Sequence, residues 1–150
     1  MTKIRVTKYY DFEMAHALWN YDGLCKNIHG HSYKLHITVI GEPIDDSSCT
    51  KDGMVIDFSD LKRIVKNNIV DVFDHSFVIN RKSQFDIKEK SNQMFERIHI
   101  VDFQPTCENM VLHFVDIIKP LLSNGVELKS VKLYETATSF AEWNADDNQI

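Results

Sequence analysis

The run from His29 to Ile40, His-Gly-His-Ser-Tyr-Lys-Leu-His-Ile-Thr-Val-Ile, leaves the backbone little choice. In an extended strand successive side chains point to opposite faces. His29, His31, Tyr33, Leu35, Ile37 and Val39 therefore share one face, apolar except for two imidazoles at its mouth. Residues 3 to 16 read as a second strand of the same kind. Ile4, Val6, Tyr10, Phe12, Met14 and His16 have one parity, interrupted only by Lys8. Antiparallel pairing across a connection at residues 17 to 24 places His16, at the end of one strand, beside His29 and His31, at the start of the other.

Three converging imidazoles can grip one small cation, and imidazole suits zinc. Three protein ligands with a vacancy make a catalytic zinc site, whereas a structural site takes a fourth ligand. Cys25, four residues before His29, keeps both readings open. As a ligand it closes the site. As a thiol near a dication and an imidazole it loses its proton more easily and serves as base or nucleophile. A single His on an apolar face is more often a core side chain, so the reading rests on all three together. His36 has the opposite parity, and His99 and His113 have no partner in the pattern.

Further along, residues 45 to 53 form a polar loop holding Cys49, and Met54-Val55-Ile56 reads as a short strand. Asp57 is a good N-cap with Asp60 in the capping-box position. Leu61, Ile64, Val65, Ile69, Val72 and Phe73 then predict a helix from about 58 to 73. It stops at Asp74-His75. That pair either ends a helix whose dipole favours a cation or sets a carboxylate near an imidazole that exchanges protons with Cys25. Side chains of adjacent residues are not expected to bond to each other there, so a looser relay is expected. Residues 77 to 79 read as extended, 80 to 96 as a short surface helix, and 98 to 103 as a strand. Thr106 caps a second helix, with Glu108 in its first turn and an apolar stripe from Met110 to Leu122. The last strand, 128 to 137, aligns Glu135 with Val131 and Leu133. Glu135 is either a rim charge or an acceptor for two parallel N–H groups of a ring. The tail from 144 to 150 reads as frayed.

The whole, residues 1 to 150, reads as a single domain of α+β class, an antiparallel sheet covered by helices on one face. A net charge of −5 argues against nucleic acid as a partner. No apolar run spans a bilayer and no signal-peptide core opens the chain, so neither membrane nor export is expected. Three cysteines without framework spacing suit a reducing, cytoplasmic setting.

Six ordered motifs carry a resemblance: Phe12-Glu13-Met14-Ala15-His16, Cys25-Lys26-Asn27-Ile28-His29-Gly30-His31, Gly53-Met54-Val55-Ile56-Asp57-Phe58, Asp74-His75, Pro105-Thr106-Cys107-Glu108-Asn109 and Glu135-Thr136. Together they resemble the 6-pyruvoyltetrahydropterin synthase family, from residue 4 to about 143. The short spacing from Cys25 to His29 is similar to the 6-carboxytetrahydropterin synthase branch of queuosine (7-deazaguanine) biosynthesis. The resemblance implies a tunnelling fold, with a four-stranded antiparallel sheet and two helices on one face, oligomerising into a barrel, often as a homo-hexamer with interface sites. It implies Zn2+ on His16, His29 and His31, and proton transfer by Cys25, Asp74 and His75. Glu135, helped by Glu108 and Thr106, would anchor the pterin. The implied substrate is 7,8-dihydroneopterin triphosphate. A pyruvoyl-forming lyase and a zinc-stabilised module without catalysis remain the alternatives. The segment from Arg81 to Phe103 is longer than in compact relatives and has no assigned role.

Overall fold

A computed structural model describes residues 2–83 and 96–149. Strand β1 (Ile4–Ala17) pairs antiparallel with β2 (His29–Gly41) over its whole length, from Ile4 opposite Gly41 to His16 opposite His29. The alternation seen in the sequence is realised: Phe12, Met14, Tyr33, Leu35, Ile37 and Val39 are buried on one face. β2 ends at Gly41, where a Cβ would lie 2.6 Å from the Gly125 carbonyl oxygen, so the close approach admits only glycine.

Asp57 caps helix α1 (Phe58–Val65), accepting from the Ser59 N–H at 2.8 Å. Asp60 does not complete a capping box; it turns to Lys51 and Arg63 instead. The single helix expected over 58–73 is interrupted by a π turn at Lys66–Val70 before the short α2 (Asp71–Phe73). The buried residues Leu61, Val65, Ile69 and Phe73 are spaced by four, and an α-helix would drift about 40° at each such step. One wider turn absorbs the drift and keeps all four on the core. Residues 54 to 56, expected as a strand, join no sheet.

The sheet differs from the expected four antiparallel strands. Among the described residues it has six, in the order β4-β3-β1-β2-β5-β6, and it is mixed. β3 (Ser76–Asn80) runs parallel to the last four residues of β1, and β4 (Ile98–Val101) runs parallel to β3. β5 (Val126–Thr136) pairs antiparallel with β2, and β6 (Ser139–Asn144) folds back on β5. Where a frayed tail was expected, Asn144 caps a 3-10 turn at Ala145–Asn148. The surface helix expected over 80–96 falls mostly outside the described residues; Arg81–Ser83 form a 3-10 turn. Helix α3 (Cys107–Ile118), capped by Thr106 as expected, joins α1 on one face of the sheet, where Met110, Phe114 and Ile118 meet Leu35, Ile37 and Leu133 in one core. No described helix is long and apolar enough to cross a membrane.

Candidate metal centre

The end of β1 and the start of β2 carry the site. His16, 1% exposed, stands opposite His29, and His31 lies two residues along β2 on the same face. The ring centroids are 4.5 Å apart for His16–His29, 5.3 Å for His16–His31 and 5.0 Å for His29–His31. The three expected to converge do so.

Their protons can be placed by what each ring nitrogen touches. His16 Nδ1 lies 2.7 Å from the Pro105 carbonyl oxygen, and His29 Nδ1 lies 2.7 Å from that of Asn27. A carbonyl only accepts, so both Nδ1 atoms carry the proton and both neutral rings present a bare Nε2. Those two Nε2 atoms face each other at 2.9 Å. Lone pairs so close repel unless a cation lies between them. Burial holds the His16 imidazole down to about 4, with His29 and His31 pushing the same way and the Pro105 bond opposing them. His16 is therefore a poor seat for a proton, and a metal ion between the two rings would satisfy both. Two ligands on a tetrahedral ion at zinc–nitrogen distances sit roughly 3.3 Å apart, close to what is seen.

A fourth group arrives from β5. The register of β5 against β6 shifts between Tyr134 and Thr136, a bulge of the kind that re-aims a side chain. Glu135 Oε1 lies 2.9 Å from His31 Nε2 and 3.6 Å from His16 Nε2. It sits off the line a ring N–H would need, so His31 Nε2 is buried without a hydrogen bond. One ligand atom from each of His16, His29, His31 and Glu135 falls within 4.8 Å of all the others. The donor set fits a divalent metal. Alternation along the last strand aligned Glu135 with the core face, but only the pairing of β5 with β2 brings it to the imidazoles. Tyr33, whose ring packs edge-on against His16 and His31, leaves its hydroxyl buried and unpartnered nearby.

The other expected residues stand outside this group. Cys25 is half-buried in a 3-10 turn, Leu24–Lys26, and its carbonyl accepts from the Leu18 N–H at 2.9 Å. The closed site with a cysteine ligand is not formed among the described residues. Beside that turn a cavity of about 700 Å³ is lined by Ala17, Trp19, Lys26, Ile28 and Phe77. Thr106 accepts from the Asn109 N–H at 3.2 Å, and Glu108 is exposed in the first turn of α3. Gln104 ties this region to the loop before Cys25, its amide bonded to both the N–H and the carbonyl of Trp19. Neither Gln104 nor the Pro105 carbonyl leaves any mark in the sequence pattern.

Asp74 and His75 lie side by side, His75 Nδ1 3.0 Å from Asp74 Oδ2, an ion-pair contact when the ring is protonated. Backbone geometry makes this possible: His75 has φ 56°, a left-handed conformation that costs a non-glycine residue about 1–2 kcal/mol. The strain is held by β1, since the His75 N–H donates to Glu13 O at 2.6 Å and the Glu13 N–H to Asp74 Oδ1 at 2.9 Å. The His75 side chain is 75% exposed and takes no part in the imidazole group.

The profile of the 6-pyruvoyl tetrahydropterin synthase family matches residues 5–146. The chain belongs to that family. A 6-carboxy-5,6,7,8-tetrahydropterin synthase of Haemophilus influenzae is 36% identical over 141 residues, covering 93% of this chain and 97% of that protein. One of the same name from Rickettsia typhi is 33% identical, covering 93% and 99%. Among solved structures, an uncharacterized protein of Wolinella succinogenes aligns with a TM-score of 0.74 at 22% identity, covering 96% and 99%. The Caenorhabditis elegans 6-pyruvoyl tetrahydropterin synthase aligns at 0.68 and 23%, covering 96% of both chains. These structures share the fold, which is the tunnelling type. Membership supports a pterin-synthase activity of the lyase type, and the curated relatives carry the carboxy name.

Proposed function

We propose that the chain is a zinc-dependent 6-carboxy-5,6,7,8-tetrahydropterin synthase of the cytoplasmic queuosine pathway. It would convert 7,8-dihydroneopterin triphosphate and one water to 6-carboxytetrahydropterin, acetaldehyde and triphosphate. The observation that carries the reading is the pair of bare Nε2 atoms on His16 and His29, 2.9 Å apart, with the unpartnered Nε2 of His31 beside them. Relatives bearing the carboxy name along almost their whole length support the branch.

His16, His29 and His31 would hold the zinc, which when bound polarises oxygens of the substrate side chain. The chain's own groups do the rest. Cys25 as thiolate takes a proton from the substrate side chain, and the Asp74–His75 pair returns one. Glu135 turns from His31 to accept two parallel N–H bonds from the pterin ring, with Glu108 and Thr106 at the rim. His75 is not part of its own protomer's ligand group, and in a homo-oligomer, such as a hexamer, it would serve a site that joins two chains.

A second reading comes from another class. The 2.9 Å approach of Glu135 to His31 also suits a closed His₃Glu site in a binding module without catalysis. Products from 7,8-dihydroneopterin triphosphate separate the readings. Acetaldehyde with 6-carboxytetrahydropterin is the result expected. A pyruvoyl pterin would indicate the sister reaction, and no product the binding module.

A further inference from the structure

The last carbonyls of a helix have no partner within it. At the end of α2 each carbonyl is nonetheless satisfied. Val70 O accepts from the Asp74 N–H at 2.8 Å, and Phe73 O from the Ser76 hydroxyl at 2.6 Å. The two between them are taken by β4 and the residue before it. Arg97 Nη2 donates to Asp71 O at 2.5 Å and to Val72 O at 3.0 Å, and His99 Nε2 donates to Val72 O at 2.8 Å. The His99 ring also packs on Phe73, centroids 5.0 Å apart. Beyond the dyad, the Arg97 carbonyl accepts from the Phe77 N–H at 2.8 Å. Arg97 thus holds the chain on both sides of Asp74-His75, two residues before and two after.

We infer that Arg97 and His99 are positioning residues: together they clamp the helix end so that His75 enters its left-handed turn with the Asp74 carboxylate held against its ring. The inference rests on the proposed role of Asp74 and His75 as proton carriers, and it gives part of the long 81–103 segment a task. Charge agrees with geometry. Burial opposes ionisation of the Asp74 carboxyl, but the Glu13 N–H, His75 and Arg97 together hold it below its ordinary value. Glu13 and Ser32 share the pocket that His75 lines, and Glu13 is occupied by the Ser32 hydroxyl at 2.8 Å.

Arg97 is exposed, so Arg97→Met, which keeps the stem and removes the donors, leaves the core intact. His99→Phe removes the second donor and keeps the ring packing. In Arg97→Met the expected result is a fall in kcat of about tenfold to a hundredfold with KM and bound metal unchanged, the signature of a misplaced group. Amide exchange at Glu13 and His75 quickens by roughly tenfold or more, as the local opening becomes easier. His99→Phe shows the same changes to a smaller extent, and Arg97→Lys recovers much of both. Unchanged exchange at the Glu13 and His75 amides in Arg97→Met would overturn the clamp, as would a fall in kcat that Arg97→Lys does not relieve. His75→Ala is measured alongside. Full turnover there removes the proton-carrier reading, while the exchange result still decides the clamp by itself.

Discussion

The facing imidazoles make acid the sharpest perturbation of the metal-free chain. His16 titrates at 6.5 in an unfolded chain and about 4 in the fold, because burial penalises its charged form. Between those values the unfolded state binds one proton more than the folded state, so stability falls as pH falls. The contribution is complete above pH 6.5, declines through the window, and is gone below pH 4. Integrated, it amounts to about 3 kcal/mol, a large share of an ordinary domain's stability. Other groups titrate in the same range, so the assay compares chelator-treated wild type with His16→Gln by urea unfolding at several pH values. The advantage of wild type over the variant is expected to shrink by about 3 kcal/mol from pH 7 to pH 4. An advantage independent of pH would refute the reasoning, since it would mean His16 is not buried in its neutral form. Excess zinc should raise wild-type stability at neutral pH and steepen its fall towards acid, because the ion binds the deprotonated imidazoles of the folded state and at a hundred times its Kd adds about 2.7 kcal/mol.

Cys25→Ala is expected to keep its metal, measured by elemental analysis, while turnover falls by about a hundredfold or more, since the thiol stands outside the ligand group. Loss of metal in that variant would make Cys25 a ligand after all. Glu135→Gln should raise the Kd for the pterin substrate by roughly a hundredfold, the worth of two charge-assisted bonds, and the metal Kd by much less. A larger effect on the metal would favour the closed His₃Glu site. Thr106→Ala removes the cap of α3 and should lower stability by about 1 kcal/mol in urea melts; no change would mean that the 3.2 Å bond to Asn109 contributes nothing.

The two long strands and their register were legible because their side chains alternate almost without a break, and alternation with a buried face admits one register. Once that register is known, His16 must lie by His29, and the metal group follows. The helix from Asp57 was equally plain from its cap and spacing, though not its π turn, which depends on where the core lies. β4 was read as a strand at 98–103, but its place in the sheet was hidden for a different reason. A parallel edge strand of four residues carries too little pattern to reveal its partner, and its pairing with β3 depends on contacts far apart in sequence. The left-handed His75 was hidden too: nothing in Asp-His distinguishes an ordinary helix end from a strained one held by Glu13 and Arg97.

The most direct test of the metal centre is the X-ray absorption spectrum of the zinc-loaded protein at the metal edge. Three imidazole nitrogens at about 2.0–2.1 Å, with any further scatterer an oxygen, are expected. A sulfur at about 2.3 Å, or fewer than three imidazoles, would contradict the account.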